Sequence, residues 1–377
     1  MGEEPAPRPQ RIPSPNMTEQ GILPDRNIRR LIEEGAIGLA GPPAEKQVQP
    51  ASLDLRLGEK ATRVRASFLP GPDFSVGEKL SQLALHEFDL RAGAVLETGC
   101  VYIVPLLESL ALPADIAASA NPKSSTGRLD VFTRIITDAA RAFDQMPEGY
   151  AGPLYLEISP RTFPILVRTG SRLSQIRFRR GHAALDDAAL EELHRRETLA
   201  TGSPRFVNGL ALSIDLEGDA VGLVGYRAKR YTGVIDVDKV GFYDASEFWE
   251  PIARRERAEI VLDPAQFYIL VSKEAVHVPA GYAAEMVPFD PFVGEFRVHY
   301  AGFFDPGFGH APAGGHGSRA VLEVRSHEVP FILEHGQTIG RLVYEPMAAP
   351  PETLYGAALG SNYQAQGLKL SKHFRVG

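Results

Sequence analysis

Residues Phe267–Met286, FYILVSKEAVHVPAGYAAEM, align without a gap on Val101–Ala120, VYIVPLLESLALPADIAASA. Tyr268 falls on Tyr102, Glu274 on Glu108 and Pro279-Ala280 on Pro113-Ala114. At the same offset Glu323 falls on Glu157, Pro330 on Pro164 and Gly336 on Gly170. A constant offset across separate segments marks an internal duplication, which restricts the chain to folds built twice from one unit. That unit is mainly β. Leu53, Leu55 and Leu57 alternate with Asp54 and Arg56, Ser213-Ile214-Asp215-Leu216 echoes Ser52-Leu53-Asp54-Leu55, and 36 glycines and 30 prolines punctuate short apolar runs.

Helical patterns are few. Ile28, Leu31 and Ile32 follow Asp25 at helical spacing, and Gly35 ends that run. Between Ala183 and Ala200, LDDAALEELHRRETLA places Leu185, Ala189, Leu190 and Leu193 on one helical stripe. The organisation expected is a flexible arm over 1–20, a first repeat over 21–181, a helical connector over 182–205, a second repeat over 206–348 and a tail over 349–377.

Charge and composition exclude several classes. A net charge of −7 disfavours a nucleic-acid partner. The longest apolar runs are too short to span a bilayer, so no membrane partner is expected. MGEEPAPRPQRIPSPNMTEQ has no apolar h-region, and its prolines fit a disordered arm. The single cysteine, Cys100, allows no disulfide framework within the chain, and a reducing cytoplasm is the expected compartment.

The chemistry-bearing stretch is Asn121–Arg128, NPKSSTGR. Two cations and adjacent hydroxyls in one short loop suit a polyanion. At the repeat offset stands VPFDPFVG, Val287–Gly294, in which every cation and both hydroxyls are gone and an aspartate has appeared. The first repeat therefore carries the phosphate chemistry. Past the loop, Leu154-Tyr155-Leu156 ends on Glu157, a carboxylate placed for general-base work at the end of an apolar strand. Glu323 keeps a glutamate beside the degenerate loop, which suggests a structural role for it. The loop Gly309–Gly317 has two histidines, His310 and His316, without further spaced ligands; it reads as a hairpin loop. The basic tail residues Lys369, Lys372, His373 and Arg375 are either a solvated terminus or a lid over bound phosphates.

QPASLDLRLG, the Ser124-Ser125-x-x-Arg128 spacing, LYLE and the helix opener DRNI together resemble the dCTP deaminase branch of the dUTPase-like superfamily. The resemblance covers about Pro24 to Phe178 and the tail GSNYQAQG, and FFDPGFG, Phe303–Gly309, looks like that family's turn before its glutamate strand. The double length resembles the long, duplicated bacterial form. The resemblance implies two tandem distorted β-barrel (β-clip) repeats with a few short helices. It implies hydrolytic deamination of dCTP to dUTP and ammonia, with no catalytic metal and Mg2+ only as the triphosphate's counter-ion.

Carried over by residue, Glu157 would be the base, Ser124 would place the water and pyrimidine, and Arg128 would orient the charges around them. Lys123 and Ser125 would hold phosphate oxygens. Tyr355, Tyr363, Gln366 and Lys369 would close over the nucleotide. Two positions depart from the family pattern: Lys123 stands where arginine is usual, and Asn362 where lysine is frequent. The segment 133–149 is longer than usual, leaving Thr137 and Asp138 as candidates to contact the base. A dUTP pyrophosphatase or bifunctional enzyme, and a non-catalytic nucleotide-binding module, stay open at this level. A homo-oligomer is expected, with the tail closing over its own or a neighbouring site.

Overall fold

The structure, a computed structural model, describes residues 20–288, 296–299, 302–326, 328–356, 363–364 and 366–375. Most of the N-terminal arm, residues 289–295 and the tail residues Gly360–Asn362 lie outside the described residues.

The duplication is visible in strand pairing. In the first half, Ile116–Pro122 lies between Gln145–Met146 and Ser174–Arg180, which in turn pairs with Ser52–Leu55. In the second half, Tyr282–Pro288 lies between Phe303–Phe304 and Thr338–Pro346, which pairs with Leu210–Ser213. A second sheet repeats likewise. Val131–Ile136, Ala151–Pro160, Val101–Ala111 and Lys60–Val64 run in the order of Phe296–His299, Ser318–Ser326, Phe267–Val276 and Leu223–Ala228. Buried aliphatic side chains at alternating positions drive this pairing: Leu154, Leu156 and Ile158 in the first half and, at the equivalent positions, Ala320, Leu322 and Val324 in the second.

The expectation of two tandem distorted β-barrels is corrected. Among the described residues the strands form five sheets of three or more strands and two two-stranded ribbons, and the pairing of none of them closes on itself. One of the five crosses the halves: Ile165–Val167 of the first pairs in parallel with Ile235–Asp236 of the second. Alternation and turn spacing determine strands and their faces, but closure depends on which edges meet, and here one edge is taken by the other half.

The core is shared in the same way. Phe163 and Phe178 are buried in one cluster with Phe248, Trp249, Phe267 and the tail residue Phe374. Phe163 meets Phe248, Trp249 and Phe374 edge-on, with centroids 5.4 to 6.5 Å apart. A second cluster belongs to the second half and includes Leu190 and Leu193 of the connecting helix. That helix spans Asp187–Arg196, shorter than its sequence pattern, because Asp186 caps it through the Ala189 amide and the pattern runs on into an extended segment. The first helix, Asp25–Glu33, starts at a buried Asp25, whose carboxylate accepts from the Glu352 and Thr353 amides and so ties the beginning of the tail to the first half. Cys100 is half-buried at the edge of the core.

Candidate active site

Lys123 to Arg128 leave the strand Ile116–Pro122 and form one short helical turn, Ser124–Gly127. Pairing of that strand with Ser174–Arg180 fixes where the turn begins, and the Lys123 amide donates to the Leu173 carbonyl (3.0 Å). Lys123 is paired with Asp54, which Arg172 also approaches at 3.4 Å. Ser125 and Arg128 are buried; Ser124 is half-buried.

The C-terminal tail of the same chain closes over this turn. Arg128 donates through Nη1 to the Lys369 carbonyl (2.8 Å) and through Nη2 to Gln366 Oε1 (3.1 Å). Its guanidinium lies 3.9 Å from the centre of the Tyr363 ring. Ser371 donates to the Ser125 carbonyl at 2.7 Å, and the Lys372 amide donates to the Tyr363 hydroxyl. Further on, Phe374–Arg375 pairs with Tyr243–Asp244, and Phe374 enters the shared core. The tail is therefore built into the molecule and closes on its own chain.

The second half forms the remaining wall. Tyr355 donates its amide to the Pro306 carbonyl (2.8 Å), and Gln364 accepts from the Gly309 amide (3.0 Å) while donating to the Gly307 carbonyl (3.1 Å). Thus the FFDPGFG turn seats the tail. Gly307 has φ +98°, and a side chain there would strike Leu354 and Tyr355, so glycine is required by both conformation and space. Asp305, in the same turn, is buried against Arg177 at 3.1 Å. Burial raises its carboxyl, opposed by Arg177. The carboxylate of Glu323 lies against Gly127: a Cβ on that glycine would come within 2.7 Å of Glu323 Cδ and Oε1. Burial pushes Glu323 well above the usual carboxylate range, with Arg128 opposing and Asp130 reinforcing.

Of the residues singled out in the sequence, the structure brings Lys123, Ser124, Ser125, Arg128, Tyr363, Gln366 and Lys369 together, with Tyr355 on the adjoining turn. Glu157, Thr137 and Asp138 are elsewhere. Glu157 is buried opposite Arg134, which donates to its Oε1 through Nη2 (2.6 Å) and Nε (3.1 Å). Its Oε2 is buried without a hydrogen-bond partner. Arg134 stacks on Phe143, 3.5 Å from the ring centre. Beside this pair burial pushes Asp144 up to about 7, against the pull of the Ile135 amide and Arg134. Asp138 accepts from the Val76 amide (2.7 Å) at the start of the helix Val76–Leu83, and Thr137 is buried next to it.

Sequence reasoning missed Glu323 and Asp305 as members of the site. The signal was present: the FFDPGFG turn precedes Glu323 and not Glu157. Among the described residues no group of three or more His, Cys, Asp or Glu side chains is gathered as a metal-ligand set. No helix among them is long and apolar enough to cross a membrane.

A duplicated β scaffold that closes a turn of cations and hydroxyls beneath its own tail, beside a buried carboxylate, is the class of site suited to an enzyme acting on a phosphorylated substrate. The family described as 2'-deoxycytidine 5'-triphosphate deaminase (DCD), N-terminal domain, matches residues 19–182, and the corresponding C-terminal domain matches residues 186–374. A crystal structure of 2'-deoxycytidine 5'-triphosphate deaminase from Agrobacterium tumefaciens is 68% identical, with a TM-score of 0.85; the match covers 88% of this chain and 100% of that one. A dCTP deaminase of Natronomonas pharaonis is 31% identical over 163 residues, covering 42% of this chain and 79% of the relative. A "dCTP deaminase, dUMP-forming" of Methanosphaera stadtmanae is 29% identical over 159 residues, 42% of this chain and 78% of the relative. The chain belongs to the dCTP deaminase family, whose enzymes hydrolytically deaminate dCTP to dUTP.

Proposed function

We propose that the chain deaminates dCTP at the turn Lys123–Arg128, beneath its own tail. The observation that carries this reading is the clasp of Arg128 by Tyr363, Gln366 and Lys369 over a turn of hydroxyls and cations. In it the triphosphate lies against Lys123 and Ser125, with Lys369 and Lys372 on the tail side. Burial lowers the ammonium of Lys369, reinforced by Arg128, and that of Lys372, reinforced by Lys123. A bound polyanion relieves such crowding of like charge. Mg2+ accompanies the triphosphate as its counter-ion.

Ser124 and Arg128 then stand at the pyrimidine. The oxygen of a water molecule bonds to C4, the C4–N3 π pair moves to N3, and N3 takes a proton. The C4–amine bond then breaks, the amine leaves as ammonia with a second proton, and the remaining hydroxyl becomes the C4 carbonyl. A carboxylate that takes the water's proton and hands it on supplies typically 10²–10⁴-fold in rate. In this reading the deamination step uses no metal. The repeat offers two such carboxylates, Glu157 and Glu323.

Incubation of the purified chain with dCTP should release ammonia, and Arg128→Ala should lower kcat/KM by at least about 10²-fold. Absence of ammonia from the unmodified chain would refute the reading. The name of the Methanosphaera relative favours a second reading, onward release of pyrophosphate to give dUMP. Assaying dCTP and dUTP separately for pyrophosphate decides it. A homo-oligomer is the assembly proposed, to be checked by sedimentation velocity.

A further inference from the structure

We infer that the proton-shuttling carboxylate of the Lys123–Arg128 site is Glu323, supplied by the second half of the chain, and that Glu157 is a structural counterpart. The inference rests on the reading of that turn as the dCTP site.

Three observations carry it. The first is space: the Glu323 carboxyl group occupies the volume that any side chain at position 127 would fill. Glycine within Ser124-Ser125-Thr126-Gly127-Arg128 is thereby explained by the glutamate of the other half. The second is connection. Gln366 holds Arg128 through its side chain, and its carbonyl accepts from the Arg319 amide (2.9 Å), on the strand Ser318–Ser326 that bears Glu323. Turn, tail and glutamate strand are joined at one residue.

The third is the contrast between equivalent positions. Glu157 lies in register between Ile103 and Arg134, and Glu323 between Ile269 and His299. In the first half the register neighbour is a guanidinium bound twice to one oxygen of the Glu157 carboxylate, which ties that oxygen to Arg134. In the second half that position carries no arginine. Glu323 instead lies against Gly127 beside Arg128, with burial raising its carboxyl.

Glu323→Gln and Glu157→Gln are to be compared in the full chain for ammonia release from dCTP and for dCTP binding by calorimetry. The expected result is that E323Q binds dCTP within a few-fold of the unmodified protein and loses ammonia release by about 10³-fold or more, while E157Q keeps turnover within about tenfold. Turnover by E323Q would overturn the inference. So would a folded, dCTP-binding E157Q without turnover. An E323Q protein that neither binds nor turns over would make Glu323 a binding or structural group, which also overturns it. Failure of the unmodified chain to release ammonia instead removes the function reading, and so is distinguishable from all of these.

Discussion

At the scale of single residues, the site is organised by what Gly127 lacks. A Cβ at this position would meet the buried Glu323 carboxylate, which lies beside Arg128. Gly127→Ala should therefore fold, because residue 127 sits in an ordinary short helical turn and is not among the positive-φ glycines. It should displace Glu323 by a fraction of an ångström to an ångström, and misplacement on that scale costs about 10²-fold in kcat. Steady-state kinetics with dCTP check this; an unchanged kcat would mean that the Glu323 carboxylate is not needed where it stands. Arg128 is equally constrained, since its guanidinium is divided between two tail acceptors and one aromatic face. A lysine offers neither the planar fork nor the stack.

At the scale of elements, the tail decides whether the site is closed. It is held by Phe374 in the core and by His373, whose Nε2 donates to the Val237 carbonyl and whose Nδ1 lies 2.9 Å from the Ser371 hydroxyl. Burial pushes His373 down to about 4; the Val237 carbonyl and the carboxylates Asp238 and Asp236 oppose that shift, and Lys372 adds to it. The folded pKa is thus depressed below the value near 6.5 of an exposed histidine. The released tail binds the proton more readily, so docking is fully favoured above about pH 6.5 and is weakened as pH falls towards 4. Thermal midpoints measured from pH 8 to pH 4.5 should fall on the acid side, and His373→Gln should flatten that part of the curve. An unaltered slope in the variant would show that the tail is not what titrates.

The sequence made the tail legible through Tyr363, Gln366 and Lys369, and made the turn legible through its cations and hydroxyls. If Glu323 is the base, as inferred above, the sequence pointed to Glu157 for a physical reason. The spacing from Arg128 to Glu157 describes one repeat, whereas the contact between Gly127 and Glu323 joins two and leaves no periodic trace. Strand-like segments were readable from alternation, but their pairing and the separate, open sheets were not, because the pairing of Ile165–Val167 with Ile235–Asp236 depends on how the halves dock.

At the scale of the molecule, the two halves have divided one job. The first keeps the polyanion turn, the second supplies the turn and strand behind it, and the tail fastens them together. The shared core around Phe163, Trp249 and Phe374 joins the two halves. The proposed function gives one site per chain, although the fold contains the unit twice. The most direct measurement is a crystal structure of the E323Q protein with dCTP. The account predicts one nucleotide per chain, its triphosphate on Lys123 and Ser125 and its cytosine C4 within reach of residue 323 directly or through one water. A cytosine held against Glu157 and Arg134, or two nucleotides bound alike in both halves, would contradict it.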